Sequence, residues 1–154
     1  MATIQRFEDL EIWKKARQLN ILVFRAIKKD GFSRDYKLVN QINGASGSVM
    51  DNIAEGFERG SRNEFVNFLS IAKGSAGEVK SQTYRAMDRN YILQNEFNEI
   101  YNLADQISKQ TNKFIEYLNN SNFKGEKFKN RTANEPQEYY GFDIYDQLNN
   151  LPFD

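Results

Sequence analysis

The first proline of this chain is Pro136. No residue before it carries the ring clash and the missing N–H that break a helix. Four apolar stripes at helical spacing fit into that span. The first predicts a helix over 8–29, where Ile12, Ala16, Leu19, Val23 and Ala26 recur every three or four residues and Trp13, Phe24 and Ile27 widen the face. Asp30-Gly31 ends it. The second starts at Ser33, read as an N-cap, and runs to Glu58 with Leu38, Ile42, Ala45, Val49, Ile53 and Phe57 inward. After the turn Arg59-Gly60-Ser61, the pair Ser61 and Glu64 reads as a capping box. A third helix then reaches Arg89 on Phe65, Phe68, Ala72, Ala76, Val79, Thr83 and Ala86. Asn95 caps the fourth, in which Phe97, Ile100, Ala104, Ile107, Thr111, Phe114 and Leu118 form a heptad seam that Asn119 to Asn122 closes.

These stripes predict an all-α fold, an antiparallel up-down four-helix bundle. Residues 1–6 form an N-terminal arm, 7–120 the bundle and 121–154 an aromatic and acidic C-terminal extension. Gly44 and Gly47 on the second helix face Gly74 and Gly77 on the third across the hairpin. Each glycine costs on the order of 1 kcal/mol of helix propensity, and close backbone approach is the expected compensation. The apolar faces exceed what one bundle needs, which predicts self-association.

Composition narrows function. Apolar residues at 40% and charged residues at 27% are ordinary for a globular domain. No apolar run approaches the roughly 20 residues of a membrane span, and the first residues lack a signal-peptide pattern. A cytoplasmic protein without membrane contact is expected. The chain has no Cys and no His, which removes thiol chemistry, zinc fingers, His bases and the Ser-His-Asp triad. Gly-x-x-x-x-Gly-Lys is absent as well. The expectation is a protein that is not an enzyme and holds no cofactor or metal.

Charge is uneven although the formal net is +0. Residues 1–95 hold 15 Lys/Arg against 11 Asp/Glu. Residues 132–154 hold five acids (Glu135, Glu138, Asp143, Asp146 and Asp154) and no base. The basic candidates for phosphate contact are Lys14, Lys15 and Arg17 on the first helix, Arg59 and Arg62 at the hairpin, and Lys73, Lys80, Arg85 and Arg89 on the third. An equally ordinary role for them is a solvated face. No aromatic stacking platform stands clear of the core. Residues 121–154 carry Tyr139, Tyr140, Phe142, Tyr145, Leu148, Leu151 and Phe153, too apolar for a plain solvating tail. They read either as a disordered extension or as an arm that docks on the bundle or on a partner.

Asn52, Glu55, Ser75 and Glu78 fall close to faces that should be apolar, and are read as a structural polar network fixing helix register. A metal site built from Asp51, Glu55 and Glu78 is the weaker alternative, because carboxylate di-metal bundles also use His.

The chain resembles the four helix bundle protein family, also called 23S rRNA intervening sequence (S23-like) proteins. The resemblance rests on Phe7-Glu-Asp-Leu10, Trp13-Lys-Lys-Ala16, Tyr36-x-Leu38, Gln41-Ile42, Asn52-Ile-Ala-Glu-Gly-Phe57 with Arg59, Glu64-Phe65, Phe68-Leu69, Ala72-Lys-Gly-Ser75 and Glu78. It covers about residues 7–120. It implies an antiparallel four-helix protomer in a homopentameric ring. A similar group are accessory proteins of diversity-generating retroelements, which implies RNA or DNA, or a reverse transcriptase, as partner. Asn43-Gly44 stands where family members often carry a basic pair. The function expected is a non-enzymatic scaffold that binds nucleic acid or a nucleic-acid-handling protein through basic helix surfaces. The alternative is a protein–protein adaptor that uses the C-terminal extension and no nucleic acid.

Overall fold

The structure, a computed structural model, describes residues 4–121. A 3-10 turn over Phe7–Asp9 leads into α1 (Glu11–Ile27). A second 3-10 turn, Phe32–Arg34, precedes α2 (Tyr36–Glu58). The hairpin then delivers α3 (Arg62–Asp88), and α4 (Gln94–Asn120) completes the chain described. Each helix packs against the next, and α1 against α4, which closes the bundle. Side-chain bonds fix the antiparallel register. Lys73 and Lys80 of α3 meet Asn112 and Asp105 of α4 at 2.7 and 2.8 Å, in reverse order along the two helices. Between α1 and α4, Lys15 bonds Gln106, and Lys29 bonds Glu96.

The inward residues follow the helical period. Ala16, Leu19, Val23, Leu38, Val49, Ile53, Leu69, Ala72, Ala76, Val79, Ala104, Ile107, Phe114 and Leu118 are fully buried. Phe65 stands edge-on to both Phe57 and Phe114, with centroids 6.0 and 5.3 Å away, and joins three helices at the hairpin end. Edge-to-face geometry aims positive ring edges at negative ring faces, a gain beyond area burial.

Several boundaries differ from the expected ones. Ser33 is not the cap of α2. Phe32 is buried and the chain turns once more, so that Asp35 takes the position and accepts the N–H of Leu38 at 3.1 Å. Ser61 precedes α3 without a side-chain cap bond, so the capping box with Glu64 does not form; Glu64 lies 3.8 Å from Arg59 instead. Asn95 lies inside α4; the helix starts after Leu93, whose N–H donates to Glu96 at 2.9 Å. Within the expected arm, Ile4 is buried in the core.

The glycine patches do not bring backbones together. A Cβ on Gly44, Gly47, Gly74 or Gly77 would meet nothing within 4 Å. The close approach lies at Gly56, where a Cβ would stand 2.7 Å from the Cβ of Phe68 and 3.0 Å from Cδ2 of Phe65. Phe24 belongs to the outer surface, 49% exposed, rather than to the inward stripe.

Candidate nucleic-acid interface

The polar network forms around a residue outside the expected four. Asn52 donates Nδ2 to the carbonyl and the Oγ of Ser48 at 2.8 and 2.9 Å. The Ser48 and Ser75 hydroxyls, on α2 and α3, lie 2.9 Å apart. A second hydroxyl in the same small-residue run, Ser46, accepts from Asn20 of α1 at 3.1 Å. Glu55 and Glu78 do not join. Both are exposed, and Glu55 accepts from Arg59 one turn on at 2.7 Å. Asp51 is exposed too. Among the described residues no group of three or more carboxylates stands together as a metal would need.

The nine basic candidates divide by what they touch. Lys14 pairs with Glu11 at 3.0 Å, Arg59 with Glu55, Lys80 with Asp105 at 2.8 Å and Arg89 with Asp35 at 2.6 Å. These contacts bind helix to helix or turn to turn. The hydrogen bond from Lys80 holds the Asp105 carboxyl below its ordinary range, with a second from Lys109. The same bond raises the ammonium of Lys80. Other candidates bond neutral groups: Lys73 to Asn112, Arg85 to Gln41 at 2.9 Å, and Arg62 to the carbonyl of Ser121 at 3.3 Å. Lys15 reaches Gln106, and burial lowers its pKa. Arg17 is exposed on α1 and pairs with no carboxylate among the described residues.

Arg17 sits in a larger feature. From Ile12 to Lys29 the chain holds six bases and no acid. Ile12, Ala16, Leu19, Val23, Ala26 and Ile27 turn inward. Lys14, Arg17, Ile21, Phe24, Arg25 and Lys28 are all exposed and share the opposite side, at the three- and four-residue spacing of one helix face. Arg25 and Lys28 also lack a carboxylate partner among the described residues, and Lys28 lies over the Phe24 ring at 4.0 Å. Arg25 and Lys28 were not among the sequence candidates; the acid-free run between Glu11 and Asp30 is the signal that points to them.

A second feature is an aromatic cluster between α3 and α4. Tyr84 of α3 stands edge-on to Phe97 and Tyr101 of α4, at 4.9 and 5.5 Å, while Phe97 and Tyr101 stack at 5.4 Å. Tyr84 is 52% exposed, while Phe97 packs against the core, so the cluster covers the α3–α4 seam rather than standing clear of the core; Lys80 lies over the Tyr101 ring at 5.2 Å.

The fold is an all-α antiparallel four-helix bundle, and several of its outer charges tie helices together. The sequence pattern of the 23S rRNA-intervening sequence protein family matches residues 8–113, and the chain belongs to that family. A solved structure is similar to it, a protein with unknown function from the S23 ribosomal protein family of Bacteroides thetaiotaomicron. The two share 21% identity at a TM-score of 0.62, over 68% of this chain and 97% of that one. No curated protein matches the chain. No helix among the described residues is long and apolar enough to cross a membrane. Residues 121–154, expected to form a separate extension, lie outside the described residues except for Ser121.

Proposed function

We propose that the protein is a non-enzymatic scaffold that binds RNA or DNA through the outer face of α1. The observation that carries this reading is the acid-free run of α1, which sets Arg17, Arg25 and Lys28, none of them paired with a carboxylate among the described residues, on one exposed side. Unneutralised cations along a helix release counterions from a phosphate backbone, the main source of affinity without sequence readout. The candidates on α3 and at the hairpin support it less, because carboxylates hold Arg59, Lys80 and Arg89. The perturbed groups Lys15, Asp35, Arg59, Lys80, Tyr91, Glu96 and Asp105 all lie in contacts within helices, between helices or at caps. A structural role accounts for each without a reaction.

The same reading has the bundle assemble with copies of itself, as the five-membered ring that the resemblance implies. Exposed Ile71, Tyr84 and Leu93 support such contacts. A reverse transcriptase or similar enzyme is the protein partner this scaffold would serve.

The test is a salt titration of binding to structured RNA and to duplex DNA. It uses the full chain and a form in which the five acids of 132–154 are replaced by amides, with oligomer mass measured on both. Binding that weakens steeply with salt, and that is lost in an Arg17→Glu, Arg25→Glu, Lys28→Glu form, supports the reading. Failure of both unreversed forms to bind at low salt overturns it.

A further inference from the structure

Nucleic acid accounts for the cations of the α1 face but not for Ile21 and Phe24, which stand among them 43% and 49% exposed. Exposed apolar side chains interleaved with bases call for a ligand that is both acidic and apolar. Residues 132–154 of this chain have that chemistry: five acids and no base, interleaved with Tyr139, Tyr140, Phe142, Tyr145, Leu148, Leu151 and Phe153. We propose that the outer face of α1 is the docking surface for the chain's own acidic-aromatic segment, 132–154.

The geometry of the bundle brings the two within reach. Lys29 meets Glu96 and Lys15 meets Gln106, so α4 runs down α1 toward its start. The chain leaves α4 at Ser121, whose carbonyl accepts from Arg62 at the hairpin end. The stripe from Lys14 to Lys28 is about 21 Å long at the helical rise. α4 continues fifteen residues past Gln106 to Ser121, about 22 Å beyond the level of Lys15. The ten residues 122–131 can span about 33–36 Å when extended, enough to bring the acidic segment back to the start of the stripe. Its own 23 residues are long enough to follow the stripe from there. Charge favours this occupant over a second copy on the same face. A two-fold contact between α1 stripes sets like against like, with Arg17, Arg25 and Lys28 facing one another. Carboxylates of the segment would neutralise those cations while its rings cover Ile21 and Phe24. The docking shares its face with the nucleic-acid reading but does not depend on it.

The chain has no cysteine, so disulfide trapping reports the contact directly on the full chain. In one form Gln18→Cys, beside the stripe, is combined with Gln147→Cys in the segment. In the control, Ser81→Cys on α3, diagonal to α1, replaces Gln18→Cys. Without nucleic acid, the first pair is expected to close an intrachain disulfide at least ten-fold faster than the control. Adding Arg17→Glu, Arg25→Glu and Lys28→Glu should bring its rate down to the control's, with helix content by circular dichroism unchanged. Replacing Ile21 and Phe24 by Asn, which keeps every charge, should slow closure as well. Equal rates for the two pairs overturn the proposal. So does a disulfide-linked dimer as the main product, which would place another copy on the stripe.

Discussion

The guanidinium of Arg89 donates to Oδ2 of Asp35 at 2.6 Å, while Oδ1 of the same carboxylate accepts the N–H of Leu38 at 3.1 Å. One side chain therefore caps α2 and ties it to the end of α3. The Tyr91 hydroxyl donates to Oδ2 as well, at 3.1 Å. The Leu38 N–H contributes most to holding the Asp35 carboxyl below its ordinary range; burial opposes it, and Arg89 and Tyr91 add to it.

A depressed carboxylate stabilises the fold above its unfolded pKa, about 3.9 for Asp. That stability is lost as pH falls through the lower folded value. Asp105, held down by Lys80 and Lys109, has the same sign. Melting temperature should stay flat from neutral pH to about pH 5 and then fall below about pH 4. Asp35→Asn should melt lower at neutral pH and lose less on acidification. Thermal unfolding followed by circular dichroism across pH checks both.

Two kinds of helical glycine should respond oppositely to alanine. Gly44 and Gly74 are exposed with nothing within 4 Å of a new Cβ. Alanine there should stabilise by roughly 0.5–1 kcal/mol each through helix propensity. Gly56→Ala forces a Cβ against Phe68 and Phe65 and should cost about 1–3 kcal/mol as overpacking. Urea titrations of the three variants decide it; a stabilised Gly56→Ala would mean that α2 and α3 lie farther apart.

The hydroxyl bridge of α2 and α3 predicts another contrast. Ser75→Ala removes a partner of Ser48 in a half-buried contact and should cost about 1 kcal/mol. Glu55→Ala and Glu78→Ala change exposed groups and should stay within about 0.5 kcal/mol of the parent. Denaturation midpoints at constant slope are the measurement.

Nucleic-acid affinity should depend on α1 and hardly on the paired cations. Removing one phosphate contact lowers the slope of log K against log salt by about 0.9 on duplex DNA. Arg17→Gln and Lys28→Gln should each produce a change of that order. Lys80→Gln should produce little, because Asp105 already holds Lys80. Fluorescence anisotropy between low and moderate salt reads the slopes.

The core was legible because burial imposes the 3.6-residue period directly. Ile12 through Ala26, Leu38 through Phe57 and Ile100 through Leu118 are buried where the spacing places them. Phe24 was misplaced because hydrophobicity does not tell the edge of a stripe from the face beyond it. Ser33 and Asp35 both suit an N-cap, and only burial of Phe32, a tertiary event, selects the second. Glu55 and Glu78 were drawn inward by their nearness to apolar positions, and long side chains at such edges reach water. Ser48 looked like one small residue among several, since a bridge to Ser75 exists only once α2 and α3 are in register. Of the α1 face, the first two cations, Lys14 and Arg17, were legible. The rest required the observation that no acid interrupts the run, which is a property of the whole helix.

The connectors at the end away from the hairpin have a kinetic consequence. Gly31, at φ 89°, and Asn90, at φ 57°, turn the chain after α1 and α3. Phe32 and Tyr91, one residue beyond each, stack at 5.2 Å. With Asp35 and Arg89, they join segments more than fifty residues apart along the chain. Closing so long a loop is entropically costly until the intervening α2–α3 hairpin has shortened it. Contacts that form after the rate-limiting step leave the folding rate nearly unchanged and slow unfolding instead. The paired connectors are therefore expected to act as a latch on the finished bundle, setting the lifetime of the native state more than the speed of reaching it.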